Sequence, residues 1–532
     1  MRLFAVYLLL SGSSLAFQLP FKIPFFHVQD DAPQLAAESE VQPARIAIIG
    51  AGAAGSSAAF WISKARERFG LEVEVDVYDR EPYIGGRSTV VYPYNDTTNM
   101  KPLELGASIF VRANKNLWRA SDEFNLTRLN FEEEDSTMGI WDGQNFLLTT
   151  GSGGYFSDWW NTLKVLWRYG YAAPTQTQKI VDTMVEQFVQ LYSPEAPKWD
   201  NISSLASSFE WTDMHTQTMS EYLDSLEISQ KFTREFVEAA TRVNYGQDVD
   251  KIHALEGLCS MATKGATGIQ GGNFQIFEQF LLRSKANLYL STAVRSIKRN
   301  SNTPVPPSWT VRTDRGSKNY KAVIIAAPFH STGIKLPSAI SSQIPKQPYV
   351  HLHVTLLTTT SPQPNPEYFS LSASSKIPSM VLTSYEGVRQ GGKEPEFNSL
   401  SYHGHATTVI DGVPEQRSVK IFSKERVSDE WLDNIFMGKV GWVHRKEWDA
   451  YPQLPPTTTF PPVTLDEGLY YVNAFEPFIS TMETETIASR NVVDLLLNEA
   501  FGIGICGLKI SSHEANETLA GDPADFVLGW DC

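Results

Sequence analysis

The hydrophobic pattern first becomes definite at Arg45. Ile46-Ala47-Ile48-Ile49 is a continuous apolar run, the pattern of a strand covered on both faces, as in a parallel sheet. It breaks into Gly50-Ala51-Gly52-Ala53-Ala54-Gly55, and an Ala- and Ser-rich helical stretch follows to about Phe69. Alternation returns at Val73, Val75 and Val77, with Asp79 at the strand's end. From about Asn116 to Asp248 the period is helical, as in Trp160, Leu163 and Trp167, then Val185, Phe188 and Leu191; such stripes predict core. A strand pattern resumes at Leu288-Tyr289-Leu290, Val294 to Lys298 and Trp309 to Arg312, with polar turns between, and Lys321 to Pro328 reads as a buried strand that brings the chain back to the first domain. Alternating pieces broken by prolines fill 334–460, among them His351-Leu352-His353-Val354-Thr355-Leu356. Gly468 to Glu476 then reads as a strand ending in an acid, and Ser480-Thr481-Met482 precedes an amphipathic helix to about Leu497.

The order strand, glycine turn, helix, strand, acid carries chemistry. Gly50 makes a tight turn, Gly52 admits a pyrophosphate to the backbone, and Gly55 lets the helix lie on the sheet. The helix start offers free N–H groups and a positive dipole end to phosphates. Asp79, 29 residues after Gly50, stands where a carboxylate holds a ribose hydroxyl. Ile84-Gly85-Gly86-Arg87-Ser88 follows, with Arg87 offering a fork of donors to phosphate oxygens. Gly502-Ile503-Gly504-Ile505-Cys506-Gly507 fits the same glycine spacing but follows a helix and opens none, so it is rejected as a second nucleotide site. A single dinucleotide site disfavours an NADPH-fed monooxygenase.

The 532 residues suggest several domains, and 42% apolar with 20% charged residues suits a folded body. A net charge of −15 argues against nucleic acid as a partner. Met1-Arg2, the apolar run Leu3 to Leu10 and Ser14-Leu15-Ala16 read as a signal peptide over 1–16, followed by a flexible arm over 17–43. Sequons at Asn95, Asn125, Asn201 and Asn516 agree with a secretory route. No apolar run has the length of a membrane helix, and peripheral membrane contact is left open. Of three cysteines, Cys506 and Cys532 either close a loop, leaving Cys259 free, or all three stay thiols. His351 and His353 share a strand face at metal-ligand spacing, but no third ligand stands near them in the chain, so they read as ordinary strand histidines and no metal is expected.

An acid-ended second strand, then Gly-Gly-Arg, then Glu104-Leu105-Gly106-Ala107-Ser108 is similar to the arrangement in FAD enzymes related to the amine oxidases. The expected fold is α/β, a Rossmann-type FAD-binding domain from 44–115, 250–335 and 463–500 with a mixed α+β substrate domain from 116–249 and 336–462 and a tail over 501–532. In that architecture a β-meander hangs off the nucleotide sheet and the backbone near Val294 meets the adenine, while Glu476 and the helix start at Met482 face the flavin and its ribityl chain. Gly271-Gly272-Asn273 opens a helix with Asn273 as its N-cap.

Three stretches narrow the likeness: RVNYGQ (Arg242 to Gln247), GLCSMATKGATGIQGGN (Gly257 to Asn273) and LYYVNAFEPFISTMETETIA (Leu469 to Ala488). In these the chain resembles the prenylcysteine oxidase (prenylcysteine lyase) family of FAD-dependent thioether oxidases, from Arg45 to about Leu497. The resemblance implies oxidation of farnesyl- or geranylgeranyl-cysteine to prenyl aldehyde, cysteine and hydrogen peroxide, with dioxygen as acceptor, in the breakdown of prenylated proteins. It implies a secretory setting, lysosomal or vacuolar, or secretion. By position it makes Gly50, Gly52, Gly55, Asp79, Gly86, Arg87, Val294, Glu476 and Met482 cofactor residues. Asn244, Tyr245 and Gln247 are candidates for the substrate pocket, set against a hydrogen-bonded structural turn. No residue presents itself as an essential acid or base. The alternatives are a flavin amine oxidase acting on another small molecule and a secreted flavoprotein that only binds hydrophobic ligands.

Overall fold

In the computed structural model, which describes residues 43–129, 137–151, 163–300, 308–407, 415–507 and 526–532, the apolar run at Ile46 lies at the middle of a sheet. The leader, all of the arm but Pro43, Trp160 and Asn516 lie outside the described residues. In chain order the strands are β1 (Ala44–Ile49), β2 (Val73–Tyr78), β3 (Val90–Val91), β4 (Leu103–Glu104), β5 (Met138–Trp141), β6 (Phe146–Thr149), β7 (Asn287–Tyr289), β8 (Val294–Asn300) and β9 (Ser308–Thr313). They continue as β10 (Gly316–Tyr320), β11 (Ala322–Ile325), β12 (Tyr349–Thr359), β13 (Met380–Thr383), β14 (Ser399–His405), β15 (Arg417–Ser423), β16 (Val440–Pro452), β17 (Thr464–Asp466) and β18 (Leu469–Tyr471).

One sheet has the order β17-β18-β11-β1-β2-β7, and β1 runs parallel to both β2 and β11. With both faces covered, Ile46, Ala47 and Ile48 are wholly buried. Each such isoleucine contributes roughly 1.5–3 kcal/mol. The expected meander begins one strand late. Leu288-Tyr289 belongs to β7, parallel to β2 at the sheet's edge, and the meander is β8, β9 and β10, antiparallel in turn. Leaving the helix Phe274–Ser284, the chain lays β7 along the exposed side of β2 before it turns away.

The first helix, α1 (Ala53–Phe69), packs closely because its inward residues are small. Ser56 and Ser57 turn their hydroxyls back onto the carbonyls of Gly52 and Ala53, at 2.8 and 2.6 Å, which satisfies them inside the core. Beside α1 lies the helix Met482–Phe501, where Ser489 Oγ donates to Ala54 O at 2.6 Å and Trp61 Nε1 donates to Thr486 O at 3.1 Å. This helix was expected to be amphipathic; it is buried along nearly its whole length. Its polar groups serve other segments instead of water. Glu483 accepts the N–H groups of Asn116 and Leu117, at 2.8 and 3.0 Å, at the start of α2 (Lys115–Glu123), and Asn491 brackets Trp199.

A second, seven-stranded sheet has the order β16-β12-β15-β14-β13-β5-β6. Strands from 116–249 and from 336–462 therefore share one sheet, joined where β5 runs parallel to β13. Residues 43–532 pack as one unit. Of the helical stripe predicted as core, Phe188 and Leu191 are buried, whereas Trp167 is 90% exposed. The chain's end is docked: Cys506 and Cys532 are disulfide-bonded with Cα atoms 5.1 Å apart, and Cys259 is free. Trp530 packs 4.9 Å from the ring of Phe60 and 5.6 Å from Trp61. No helix among the described residues is long and apolar enough to cross a membrane.

Candidate functional site

The carboxyl ends of β1, β2 and β11 open onto a cavity of about 530 Å³. It extends from Asp79 and Val294 past Gly52, Gly86 and Arg87 to Tyr349, Trp448, Tyr451, Asn473, Met482 and Glu485. A crevice at the strand ends of an open parallel sheet is where such folds bind ligands. At Gly50, with φ at +116°, a Cβ would collide with the carbonyl oxygen of Ala326, and at Gly55 one would collide with the carbonyl of Gly50. These two glycines are demanded by the chain itself. Gly52 is different, because the nearest atom to a Cβ there is Gly86 Cα at 3.7 Å. The open backbone at Gly52 faces the cavity, so its glycine serves whatever lies inside.

Asp79 reaches back to the glycine turn. Its Oδ2 accepts the Ala51 N–H at 2.7 Å and its Oδ1 the Glu81 N–H at 2.8 Å, while burial raises its carboxyl above the usual range. Gly85 N donates to Ala51 O at 3.0 Å, which sets the Gly-Gly-Arg loop against the first turn.

Arg87 lines the cavity, but its fork is engaged within the protein. Nη2 lies 2.5 Å from Glu476 Oε1 and Nη1 donates to Ala450 O at 3.2 Å. Burial opposes the charge of Arg87, and Glu476, Tyr349 and Glu485 together hold its pKa above the ordinary value. Glu476 is 1% exposed and stands behind the wall, accepting from Tyr349 Oη at 2.6 Å and Asn473 Nδ2 at 3.3 Å. Of the acids around Arg87, Glu485 is the one that lines the cavity, raised by burial and then by the charge of Glu476. Glu256, which also feels the charge of Glu476, is pushed up to about 8, mainly by burial, and accepts the Ser480 N–H at 3.2 Å. Thr481 caps the helix that begins at Met482, its Oγ1 accepting from Thr484 N at 3.0 Å, and Ser480, Thr481 and Met482 line the cavity.

Of the expected cofactor residues, Gly50, Gly52, Asp79, Gly86, Arg87, Val294 and Met482 meet around this cavity. Gly55 lies under the turn, and Glu476 acts through Arg87. The structure does not bring Asn244, Tyr245 or Gln247 to the cavity wall. Asn244 Nδ2 donates to Ser260 O at 3.2 Å, and Gln247 binds Pro452 O at 3.1 Å and the Leu454 N–H at 2.8 Å. Tyr245 is buried edge-on to Tyr451, with ring centres 5.8 Å apart, and only Tyr451 lines the cavity. Arg242 joins Asp248 at 2.5 Å and Thr383 at 3.0 Å, so RVNYGQ braces a helix end against the second sheet. Asn273 stands at the head of its helix without capping it. Its oxygen accepts from Ile269 N at 2.8 Å and its amide donates to Ala107 O at 3.0 Å, which braces the Glu104–Ser108 stretch. Tyr349, Trp448, Asn473 and Glu485 have no motif of their own; Asn473 and Glu485 stood inside a stretch already singled out, Leu469 to Ala488, while Tyr349 and Trp448 did not.

A dinucleotide fits these residues. Ser88 Oγ and Asn473 Oδ1 are buried on the cavity wall with no hydrogen-bond partner, as groups awaiting a polar ligand would be. The second glycine pattern is excluded by its surroundings: Gly502 terminates the preceding helix with φ at +69°, and Gly504 pairs with Gly507 in a turn. Three sequon asparagines, Asn95, Asn125 and Asn201, are exposed, and Asn201 Oδ1 also caps Ser204 N at 3.2 Å.

Comparison with known proteins agrees with this geometry. A family model described as prenylcysteine lyase matches residues 156–502, and one described as an NAD(P)-binding Rossmann-like domain matches 48–124. Farnesylcysteine lyase of Arabidopsis thaliana is 30% identical over 86% of this chain and 88% of its own. Prenylcysteine oxidase 1 of Homo sapiens is 26% identical over 86% and 89%. Among solved structures, putrescine oxidase bound to putrescine aligns at a TM-score of 0.55 with 14% identity, covering 85% of this chain and 99% of that one. A putative protoporphyrinogen oxidase from Exiguobacterium sp. 255-15 aligns at 0.55 with 13% identity, covering 85% and 98%. At those identities the structures establish the fold, a Rossmann-type flavoprotein fold with a mixed second sheet.

Proposed function

The chain belongs to the prenylcysteine lyase family, and from that premise we propose that it is an FAD-dependent oxidase cleaving the thioether of farnesyl- or geranylgeranyl-cysteine with one water, which supplies the aldehyde oxygen, to prenyl aldehyde and cysteine, with dioxygen as electron acceptor and hydrogen peroxide as its product. The observation that carries this reading is the continuous cavity from Asp79 to Glu485, whose wall from Phe277 onward is supplied by the region matching the family. Bound there, FAD would accept hydride from the carbon between sulfur and alkene and be reoxidised by dioxygen.

The chain's residues have separate tasks in this reading. Gly52 and the start of α1 receive the pyrophosphate, with no Cβ to keep it off the backbone. Asp79 marks the ribose end. Ser88 and Asn473 offer the polar atoms left without partners. Arg87, fixed by Glu476, puts a positive charge on the wall while remaining tied to the fold. Tyr349, Trp448 and Tyr451 supply an aromatic wall for an apolar chain. We assign the protein to the secretory pathway, lysosomal or vacuolar, or secreted. The leader pattern, the three exposed sequons and the Cys506–Cys532 disulfide support that assignment.

The test is anaerobic mixing of the purified yellow protein with farnesylcysteine, followed by admission of oxygen. Bleaching of the flavin band, then peroxide and farnesal, is expected. A flavin that stays oxidised with farnesylcysteine and geranylgeranylcysteine alike would overturn the proposal.

A further inference from the structure

Along the chain, His351 and His353 have no third ligand nearby; across the sheet they have two acids. β12 pairs antiparallel with β16, which sets Asp449 opposite His351 and Glu447 opposite His353. Residues two apart on a strand share a face, so all four side chains stand together. The register shift between Val350 and His351 is what aligns Asp449 with His351. His351 Nε2 lies 2.8 Å from Glu447 Oε1, and His351 Nδ1 lies 3.3 Å from Asp449 Oδ1. The two imidazole centres are 5.5 Å apart with their planes at 84°.

We propose that His351, His353 and Glu447 form a binding site for a late first-row divalent cation such as zinc, with Asp449 beside it. One donor atom from each of the three lies within 4.8 Å of the others. Ligand atoms in a tetrahedral zinc site are about 3.4 Å apart, given bond lengths of about 2.1 Å. Small rotations close that difference, because the side chains of His351 and Glu447 are 53% and 61% exposed and free to turn. Two imidazoles and a carboxylate select zinc or copper; calcium and magnesium prefer sets made only of oxygen. Exposed histidine–carboxylate pairing alone calls for one imidazole, and it adds little to stability. A second imidazole brought to the same acid is what a metal requires.

The position gives the site a consequence. Glu447 and Asp449 also line the cavity, together with Lys446 and Tyr349. A cation held there lies on the cavity's rim and offsets two negative charges at that point. This inference is independent of the thioether chemistry, since it rests on β12 and β16 alone.

Isothermal titration of the flavin-loaded protein with zinc chloride tests it. One equivalent is expected to bind in the micromolar range, with magnesium and calcium chloride giving no heat of binding at the same concentrations. H351A/H353A should weaken zinc binding at least tenfold, and E447Q, which keeps both imidazoles, should weaken it as well. H405A removes a separate exposed histidine paired with Glu415 and should leave the titration unchanged. Absence of zinc binding in the wild type, or equal affinity in H351A/H353A, would overturn the assignment. H353Q, an uncharged replacement of similar reach, guards against a folding defect in the double variant and must show the same loss.

Discussion

Arg87 Nη2 lies 2.5 Å from Glu476 Oε1, and through this contact the loop after β2 is tied to the segment leading into the helix Met482–Phe501. The two residues are 389 positions apart in the chain (476 − 87). Glu476 is buried while Arg87 is 32% exposed on its side chain. Removing Arg87 leaves a buried carboxylate with only its neutral donors Tyr349 and Asn473, at a cost of about 1–3 kcal/mol, whereas exchanging both for apolar residues of similar volume is close to neutral. Arg87→Met is therefore expected to lower the urea midpoint sharply, and Arg87→Met with Glu476→Met to recover most of the loss. Equal destabilisation in the single and double variants would show that the pair does not act as a unit.

Gly52 and Gly55 separate what the fold needs from what a ligand needs. A Cβ at Gly55 collides with the Gly50 carbonyl, so Gly55→Ala should destabilise the protein with or without flavin, by about 1–3 kcal/mol or more. At Gly52 the nearest atom to a Cβ is 3.7 Å away, so Gly52→Ala should leave the melting of the flavin-free protein within about 0.5 kcal/mol of wild type. Flavin retained per polypeptide should nevertheless fall, read as the ratio of visible to ultraviolet absorbance after gel filtration. Full flavin content in Gly52→Ala would contradict the assignment of this turn to the cofactor.

Glu256 gives the stability a definite pH slope. Burial pushes it up to about 8 in the folded protein, against 4.5 as its ordinary value. The folded state then keeps a proton that the unfolded chain releases between those values. The stabilisation is complete below about pH 4.5 and is lost as pH rises through about 8, by at most about 1.4 kcal/mol per pH unit for this group. Glu485 is raised as well and adds to the same slope. Asp248, held low by Arg242 against its burial, acts in the opposite sense below pH 4. Melting temperature should decline from pH 5 to pH 8. Glu256→Gln keeps an acceptor for the Ser480 N–H without the titration, so it should match wild type at pH 5 and exceed it at pH 8. A variant less stable than wild type at pH 8 would show that the buried carboxylate is tolerated there at no cost.

The parts of the site that were legible in the sequence are those built from contiguous residues. Gly50 to Gly55 form strand, turn and helix within one stretch, and Asp79 returns to Ala51 because β2 lies beside β1. Distant pairing carries no local period. Nothing around Arg87 points to Glu476, and the polar density of RVNYGQ does not distinguish a ligand pocket from a brace whose partners for Gln247 lie 205 and 207 residues on. The helix Met482–Phe501 misled for a related reason. Its polar residues read as a solvent face, yet Glu483 and Asn491 are spent on the backbones of Asn116 and Trp199. The two histidines on β12 lacked a third ligand because β16 arrives 96 residues later at Glu447.

Gln247 and Trp448 make opposite predictions about where substrate is held. Gln247 is 7% exposed and bonds to Pro452 and Leu454 on the way out of β16, away from the cavity wall. Gln247→Ala leaves a buried carbonyl and a buried N–H without partners, and should cost about 1–3 kcal/mol of stability. The protein that does fold should show an unchanged kcat/KM for farnesylcysteine. Trp448 lines the cavity and packs against Gly106, where a Cβ would come within 2.9 Å of its ring. Trp448→Ala removes aromatic wall, and should lower kcat/KM at least tenfold, about 1.4 kcal/mol of transition-state binding, with a smaller change in melting temperature. Steady-state kinetics per mole of bound flavin, taken with thermal melts of both variants, decide the matter. The reverse pattern, with kcat/KM lost in Gln247→Ala and kept in Trp448→Ala, would move the substrate pocket to the RVNYGQ stretch and reduce the wall near Trp448 to a packing role.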